Sequence, residues 1–207
     1  MAATRIILLR HGETTWNVEG RYQGHLDSPL SPRGEAQARA LAQRLAGMKF
    51  AALYSSDLGR ARQTADAIAK ATGHEIRVDP QLRERHLGIF QGLLKSEMKQ
   101  KFAHDYHLFK TAGSDHALPG GESARQAAQR NITCLEDLAR RHPDETIVVV
   151  AHGGTISALL RHTLGIPPGT PRRFERFNAS WNVFTWDLDD SRWRLETWGD
   201  LSHLSVL

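Results

Sequence analysis

The chain has 207 residues, 40% of them hydrophobic and 24% charged, with a formal net charge of +4 and 11 histidines. This is the size and balance of one globular domain, 1–207, with room for a sizeable core. Cys134 is the only cysteine, which excludes an intrachain disulfide and with it a secreted disulfide scaffold. The basic residues are scattered; the densest runs, Arg140-Arg141 and Arg172-Arg173, have no interleaved aromatics, so an anionic small molecule is expected as partner and nucleic acid is not. The first apolar run, Ile6 to Leu9, is too short for a signal-peptide core or a bilayer span. No membrane partner is expected, and a cytoplasmic location is the default expectation.

"RIILL" (5–9) is a β-branched apolar run of the buried-strand type. From Ser31, "SPRGEAQARALAQRLAG" offers a cap, a proline at the first helical position, and Ala38, Leu41, Ala42 and Leu45 at helical spacing, with Gly47 as the stop. "AALYSS" (51–56) predicts a second strand, followed by a helix over 59–72 closed by Gly73. "EIRVD" (75–79) predicts a short third strand. The stretch 93–120 has no clear period and reads as an irregular, lid-like insertion facing the substrate. Ser123 with Gln126 fits a capping box that opens a long helix ending near His142, before Pro143. "TIVVVAH" (146–152) is the clearest buried strand, and it turns through Gly153-Gly154 into the helix "TISALLRHTLG". "WNVFTWDL" and "RWRLETW", separated by "DDS", predict a hairpin.

Strands alternating with helices predict an α/β fold: a three-layer α/β/α sandwich with a mostly parallel central sheet, one antiparallel edge strand and the C-terminal hairpin. In such sheets ligands sit where loops converge at the carboxyl ends of the strands. Arg10-His11, Arg60, Glu84 and His152 each follow a predicted strand. Alone, each would be a surface or capping residue; their shared placement is what makes them a candidate site.

Two arginines and two histidines suit a dianionic phosphoryl group, because guanidinium forks match phosphate oxygens with paired hydrogen bonds. Unit charges ~4 Å apart at an effective dielectric of about 20 attract by roughly 4 kcal/mol. A carboxyl beside that dianion repels it unless it carries a proton, and a proton-bearing Glu84 is what a departing alkoxide needs. Neither Ser nor Cys stands in a nucleophile turn; "SSDLG" lacks the frame. There is no Walker loop and no dinucleotide fingerprint. The histidines do not fall at HExxH or Cys/His zinc spacing, so neither a metal nor any other cofactor is expected. A histidine nucleophile remains, since neutral imidazole is competent near pH 7.

"LLRHGETTWN" (8–17) closely resembles the Arg-His-Gly signature of the histidine phosphatase superfamily, also called phosphoglycerate-mutase-like. "GRYQGHLDSPLSPRGEAQA" (20–38), "LYSSDLGRARQTA" (53–65), "LRERHLGIFQG" (82–92), "LPGGES" (118–123) and "VVVAHGGTI" (148–156) agree in order and spacing, so the resemblance covers nearly the whole chain. It implies that His11 becomes phosphohistidine, that Arg10, Arg60 and His152 hold the phosphoryl oxygens with Asn17 as a further donor, and that Glu84 protonates the leaving group and then activates water. Gln23, Gly24 and Gly153 match positions of further family contacts. Arg62 is a lesser candidate, because two residues beyond Arg60 on a helix it need not face the same way. Gly12 is expected to let the backbone approach closely.

The resemblance implies a metal-independent phosphomonoester hydrolase acting on small phosphorylated metabolites. Within the family the alternative is a cofactor-dependent phosphoglycerate mutase, which "ERHLGIFQGLLKSE" (84–97) is rather like. Leu87, where mutases usually carry an aromatic, and the absence of room for a longer Arg-rich insertion favour the phosphatase branch, as does the ending "WGDLSHL". A non-catalytic phosphate-binding regulatory module is a further alternative, because fold does not fix function. Which phosphomonoester is used, and the oligomeric state, are not legible in these residues.

Overall fold

The computed structural model describes residues 2–167 and 169–205. Six strands form one sheet: β1 (Ala3–Arg10), β2 (Ala52–Ser55), β3 (Ile76–Val78), β4 (Thr146–Ala151), β5 (Trp181–Asp187) and β6 (Arg192–Asp200). Their order across the sheet is β3-β2-β4-β1-β5-β6. β1, β2, β3 and β4 pair in parallel, while β5 runs antiparallel to both β1 and β6. The hairpin itself therefore makes one edge, and the strand that runs against the others, β5, lies one place in from it.

Ile6 to Leu9 and Ile147 to Val150 are all fully buried, because helices cover both faces of the sheet and successive side chains point to opposite sides. Ile6 and Leu8 pack with Leu135, Leu138, Ile156 and Leu159, which belong to α6 (Ala124–Arg140) and α7 (Gly153–Thr163). Ile7 and Leu9 pack with Leu41, Leu45, Ala61, Ala65 and Ile68, from α2 (Pro32–Leu45) and α3 (Gly59–Thr72). The result is the three-layer sandwich that the alternating pattern predicts.

The local signals act as expected at several ends. Ser31 caps α2 by accepting from Gly34 N, with Pro32 at the first position. Gly73 ends α3 at φ 74. Ser123 and Gln126 form the capping box of α6. Three boundaries differ. β3 is shorter than 75–79, α6 ends at Arg140 rather than His142, and α7 begins at Gly153, so both glycines of "HGG" lie inside its first turn. Gly47 follows a cap at Ala46 and does not adopt the left-handed conformation that ends α3.

The stretch read as irregular holds two helices, α4 (Lys95–Lys101) and α5 (Ala103–Thr111). They carry no sequence period because they do not pack on the sheet. Met98 joins Phe90 and Leu118 in a small separate cluster with Tyr22, Phe102, Tyr106 and Phe109 around it. A short helix after β1, α1 (Thr15–Glu19), is capped by Thr14 and closed by Gly20 in the left-handed conformation.

The start of α2 is pressed against the loop after β1. Ser31 N and Oγ donate to Glu13 O and Oε1 at 2.8 and 2.7 Å. A methyl group at Gly34 would lie 1.9 Å from Glu13 O, and one at Gly12 would lie 2.5 Å from Gly34 O. What approaches Gly12 is thus the backbone of α2, and through it the loop that carries the first candidate site residues is fixed to the scaffold. Gly34→Ala is expected to destabilise the fold by about 1–3 kcal/mol, because backbone must move to admit the methyl group. Gly47 has open space around it, so Gly47→Ala should be neutral or gain up to about 1 kcal/mol. Urea unfolding of the two variants checks the contrast; equal midpoints would contradict the close contact at Gly34.

Candidate active site

Parallel pairing sets Arg10 opposite Ala151, so the residues that follow leave the sheet side by side. His11 N donates to Ala151 O at 3.1 Å, and Ala179 N donates to His11 O at 3.2 Å. The His11 and His152 ring centroids are 5.3 Å apart. His11, His152 and the long Arg60 side chain are 3%, 0% and 1% exposed.

His11 Nδ1 lies 2.7 Å from Gly12 O. A carbonyl only accepts, so Nδ1 carries the proton and Nε2 keeps its lone pair. Burial, then the charges of Arg60 and Arg10, push the His11 pKa well below its ordinary value. His152 is pushed down in the same direction by burial, then by Arg60 and its neighbours. Both imidazoles are therefore neutral near pH 7, beside two guanidinium groups.

Those cations are themselves held in place. Arg60 donates to Gly24 O at 2.8 Å, to Leu26 O at 3.0 Å and to Asp27 Oδ1 at 2.8 Å. Thr64 Oγ1 donates to Arg60 O and accepts from Gly12 N, which links α3 to the turn after His11. Arg10 Nη1 donates to the carbonyl of Arg176. Burial, then the charge of Arg176, lowers the Arg10 pKa to about 10, which still leaves it charged at pH 7.

Glu84 is placed by main-chain donors. Its Oε1 and Oε2 accept from Arg85 N and Gly154 N, each at 2.9 Å. The loop beneath it is clamped by Arg130, which donates to Gln81 O, Arg83 O and Glu84 O and pairs with Glu122 at 2.9 Å. Glu122 in turn accepts from His86 N at 2.8 Å. This is the role of "LPGGES", a motif the sequence singled out without a task. A methyl group at Gly88 or Gly121 would meet the opposing backbone at 2.1 or 2.7 Å, so the two segments lie back to back.

The structure thus brings His11, His152, Arg10, Arg60 and Glu84 together. Asn17 is near through its amide: Oδ1 accepts from Thr14 N, Thr14 Oγ1 and Asn178 Nδ2, which leaves Asn17 Nδ2 to donate elsewhere. Asn178 also donates to His11 O and Gly12 O. Gln23 is buried with its Oε1 unpartnered. Gly24, in the left-handed conformation, offers its carbonyl to Arg60. Gly153 lies beneath the Arg10 and Arg176 guanidinium groups. Arg62, two residues beyond Arg60 on α3, has an enclosed Nε without a hydrogen-bond partner. Asp27, Asn178, Arg176 and the Arg130–Glu122 clamp were not legible as site residues. Asp27 and Glu122 carried a hint, standing in family-like segments with no role of their own.

Buried polar atoms without partners gather here: Arg10 Nε, Arg60 Nε and both ring nitrogens of His152. Each such atom costs about 1–3 kcal/mol when nothing satisfies it. An oxyanion bound among them would satisfy several at once. Among the described residues, no group of three or more His, Cys, Asp and Glu side chains is placed to hold a metal ion.

Comparison with known proteins shows the family. The profile of the histidine phosphatase superfamily (branch 1) matches residues 6–201. The chain belongs to the histidine phosphatase superfamily. It is 43% identical over 206 residues to a metal-independent phosphoserine phosphatase of Arabidopsis thaliana, covering 98% of this chain and 84% of that one. It is 35% identical to a probable phosphoglycerate mutase of Serratia proteamaculans, covering 98% and 95%. A mycobacterial glucosyl-3-phosphoglycerate phosphatase solved with VO3 superposes with a TM-score of 0.82 at 38% identity, over 94% of this chain and 98% of that one. A phosphoserine phosphatase of Entamoeba histolytica, solved with 3-phosphoglyceric acid, superposes with a TM-score of 0.81 at 30% identity, over 97% and 99%.

In this histidine phosphatase, lowered histidine pKa values make stability depend on pH. An unfolded imidazole protonates as pH falls through about 6.5 while a buried neutral one does not, so the contribution is present above that pH and is lost as pH falls below it. Each such histidine gives a slope of up to about 1.4 kcal/mol per pH unit. Nitrogen-15 NMR is expected to show His11 as the neutral Nδ1–H form at pH 7 and still neutral at pH 6. A cationic His11 at pH 6 would contradict the buried electrostatics.

Proposed function

We propose that the enzyme hydrolyses phosphomonoesters of small metabolites through a phosphohistidine on His11. The observation that carries the reading is the state of that side chain: a buried neutral imidazole, its Nδ1 tied to Gly12 O, flanked by Arg10, Arg60 and His152. The phosphatases among its relatives support the same chemistry.

In the first step His11 Nε2 attacks phosphorus, the bond from phosphorus to the ester oxygen breaks, and Glu84, carrying a proton, gives it to the departing alcohol. The charge that forms on the imidazole is met by the Nδ1–H bond to the Gly12 carbonyl. Arg10, Arg60 and His152 hold the three transferring oxygens, preorganised by the contacts that already fix them. In the second step Glu84, now a carboxylate, takes a proton from water; the oxygen attacks phosphorus, the bond to His11 breaks, and phosphate leaves. The pair of α4 and α5 is the substrate-facing cover in this reading. Phe109 of α5 packs on Tyr22 and lies under the Arg85 guanidinium, so it touches both loops that border the site.

The mutase-like relative supports a second reading, in which the phosphoenzyme returns its phosphoryl group to a second hydroxyl. Conversion of 3-phosphoglycerate to 2-phosphoglycerate faster than release of phosphate would favour it.

His11→Ala should remove turnover and leave the fold intact. With labelled substrate, a chelator present and a denaturing quench at alkaline pH, the wild-type enzyme should carry label on His11; label on a serine or aspartate would overturn the mechanism.

Glu84→Gln tests the acid. An alkyl phosphate departs as a strongly basic alkoxide, so its phosphorylation step should slow by about 10²–10⁴-fold. An aryl phosphate with an acidic phenol should slow far less in that step, giving a burst of phenol before slow turnover. Equal slowing of both in rapid-quench measurements would make Glu84 a structural residue.

A further inference from the structure

His25 stands in the segment between α1 and α2, and the contacts around it face two ways. On one side the carbonyls of its neighbours Gly24 and Leu26, with the carboxylate of Asp27, hold the Arg60 guanidinium. Asp27 also accepts from Gly59 N, at the start of α3, at 2.6 Å. On the other side the His25 ring reaches the loop that carries Glu84: its Nε2 lies 2.7 Å from Glu84 O. A carbonyl only accepts, so Nε2 carries the proton, the opposite tautomer to His11. Gln91 fills the space beside the left-handed Gly24 and accepts from His25 N at 2.6 Å. The ring packs edge to face on His86, with centroids 4.6 Å apart.

Glu84 is tied to other elements through both its carboxylate and its main chain. Gly154 N joins the carboxylate to α7, while Arg130 of α6 and His25 share the main-chain carbonyl. The last two are not equivalent. The Arg130 bond to Glu84 O is the longer, at 3.3 Å, and the same guanidinium holds Gln81 O, Arg83 O and Glu122, so it braces the loop against itself. His25 joins Glu84 to the segment that holds Arg60. That distance matters, because the oxygen to be protonated is bonded to the phosphorus whose oxygens Arg60 holds. An error of about 1 Å between acid and cation can cost on the order of 10²-fold in rate.

We infer that His25 is a positioning residue for the proton transfer. Through its Nε2–H bond to Glu84 O it fixes the acid against the cation that holds the phosphoryl group, acting through Glu84 and not on the substrate. The inference rests on the phosphatase reading above, with Glu84 as the acid, and adds a residue that sets where that acid stands. Its loss must therefore be felt by leaving groups that need a proton and hardly by those that do not.

Three substitutions separate the N–H from the ring. His25→Phe keeps the packing on His86 and loses the donor, His25→Ala loses both, and His25→Gln keeps an N–H of similar reach without the ring. The alkyl ester is whichever of phosphoserine, 3-phosphoglycerate and glycerol 3-phosphate the wild-type enzyme uses fastest; the aryl ester is 4-nitrophenyl phosphate. The measured quantity is the ratio of their phosphorylation rates by rapid quench, in which any change in the folded fraction cancels. His25→Phe and His25→Ala should lower the ratio by about 10- to 100-fold, less than Glu84→Gln does, because the acid is still present. His25→Gln should restore most of it. In the Glu84→Gln background His25→Phe should change the ratio no further, since a residue that acts through Glu84 has nothing left to place. The inference is overturned, with Glu84 still the acid, if His25→Phe leaves the ratio at its wild-type value, lowers it equally with and without Glu84, or lowers it no further than His25→Gln. A wild-type enzyme that uses none of the alkyl esters, or a ratio that Glu84→Gln itself leaves unchanged, would remove the acid and its positioning residue together.

Discussion

Everything at the site depends on the register between β1 and β4. Their apolar runs are buried on both faces, so alternation of polar and apolar side chains cannot fix how they align; the ends must do it. At one end the fully buried Thr4 donates to Ala139 O and His142 O at 2.7 and 2.8 Å, and Arg5 N donates to Glu145 O. At the other, His11 N closes the ladder on Ala151 O. Slipping by one residue would break both ends and move His11 away from His152 by about 3.3 Å, a full strand step. The polar ends of two hydrophobic strands therefore set the distance between the two imidazoles.

That register forces a costly arrangement. Two imidazoles and a guanidinium group are nearly sealed from water, and the protein accommodates them in different ways. The imidazoles give up protonation, which removes their charge from the low-dielectric pocket. Arg60 stays charged and is met by Asp27 and two carbonyls. Arg10 has one carbonyl and an enclosed Nε. Arg10 Nε, Arg60 Nε and the His152 ring nitrogens stay unmatched; in the reading proposed above, these are polar groups fixed before a phosphoryl group arrives, which is what electrostatic preorganisation requires.

Much of this was legible in the sequence because it is local. The strand of Ile6 to Leu9, the Ser31-Pro32 start of α2, the Gly73 stop and the Ser123–Gln126 box are each written within a few neighbouring residues. The placing of Arg10, His11, Arg60, Glu84 and His152 at strand ends followed from the order of those elements. What could not be read joins distant segments. Gly12 is needed because α2 touches it, and Gly24 because it is in the left-handed conformation with Gln91 packed where a methyl group would lie. Arg130 grips a loop 46 residues before it through Glu84 O. α5 buries none of its residues, so no amphipathic period could announce it. Arg176 sits in a segment without regular structure, where no pattern says which way a side chain points.

The same division separates two halves of the site. His11, His152 and Arg60 belong to strand ends and helix starts that the core immobilises, and a change there must disturb the sandwich. Tyr22 and Phe109 sit on a loop and on α5, in a small aromatic cluster of their own, and Arg176 sits on the segment before β5. Glu84 takes part in the chemistry from a loop that the Arg130–Glu122 pair clamps. A loop held at a few points can exchange a side chain without repacking a sheet. In the reading proposed above, the strand-end residues that handle phosphorus are those the fold cannot alter cheaply, and the covering segments that meet the rest of the substrate are those it can. Relatives that share the sandwich and bear the names of different phosphatases and mutases fit such a partition, with chemistry carried by the register of β1 on β4 and selection carried by the segments laid over it.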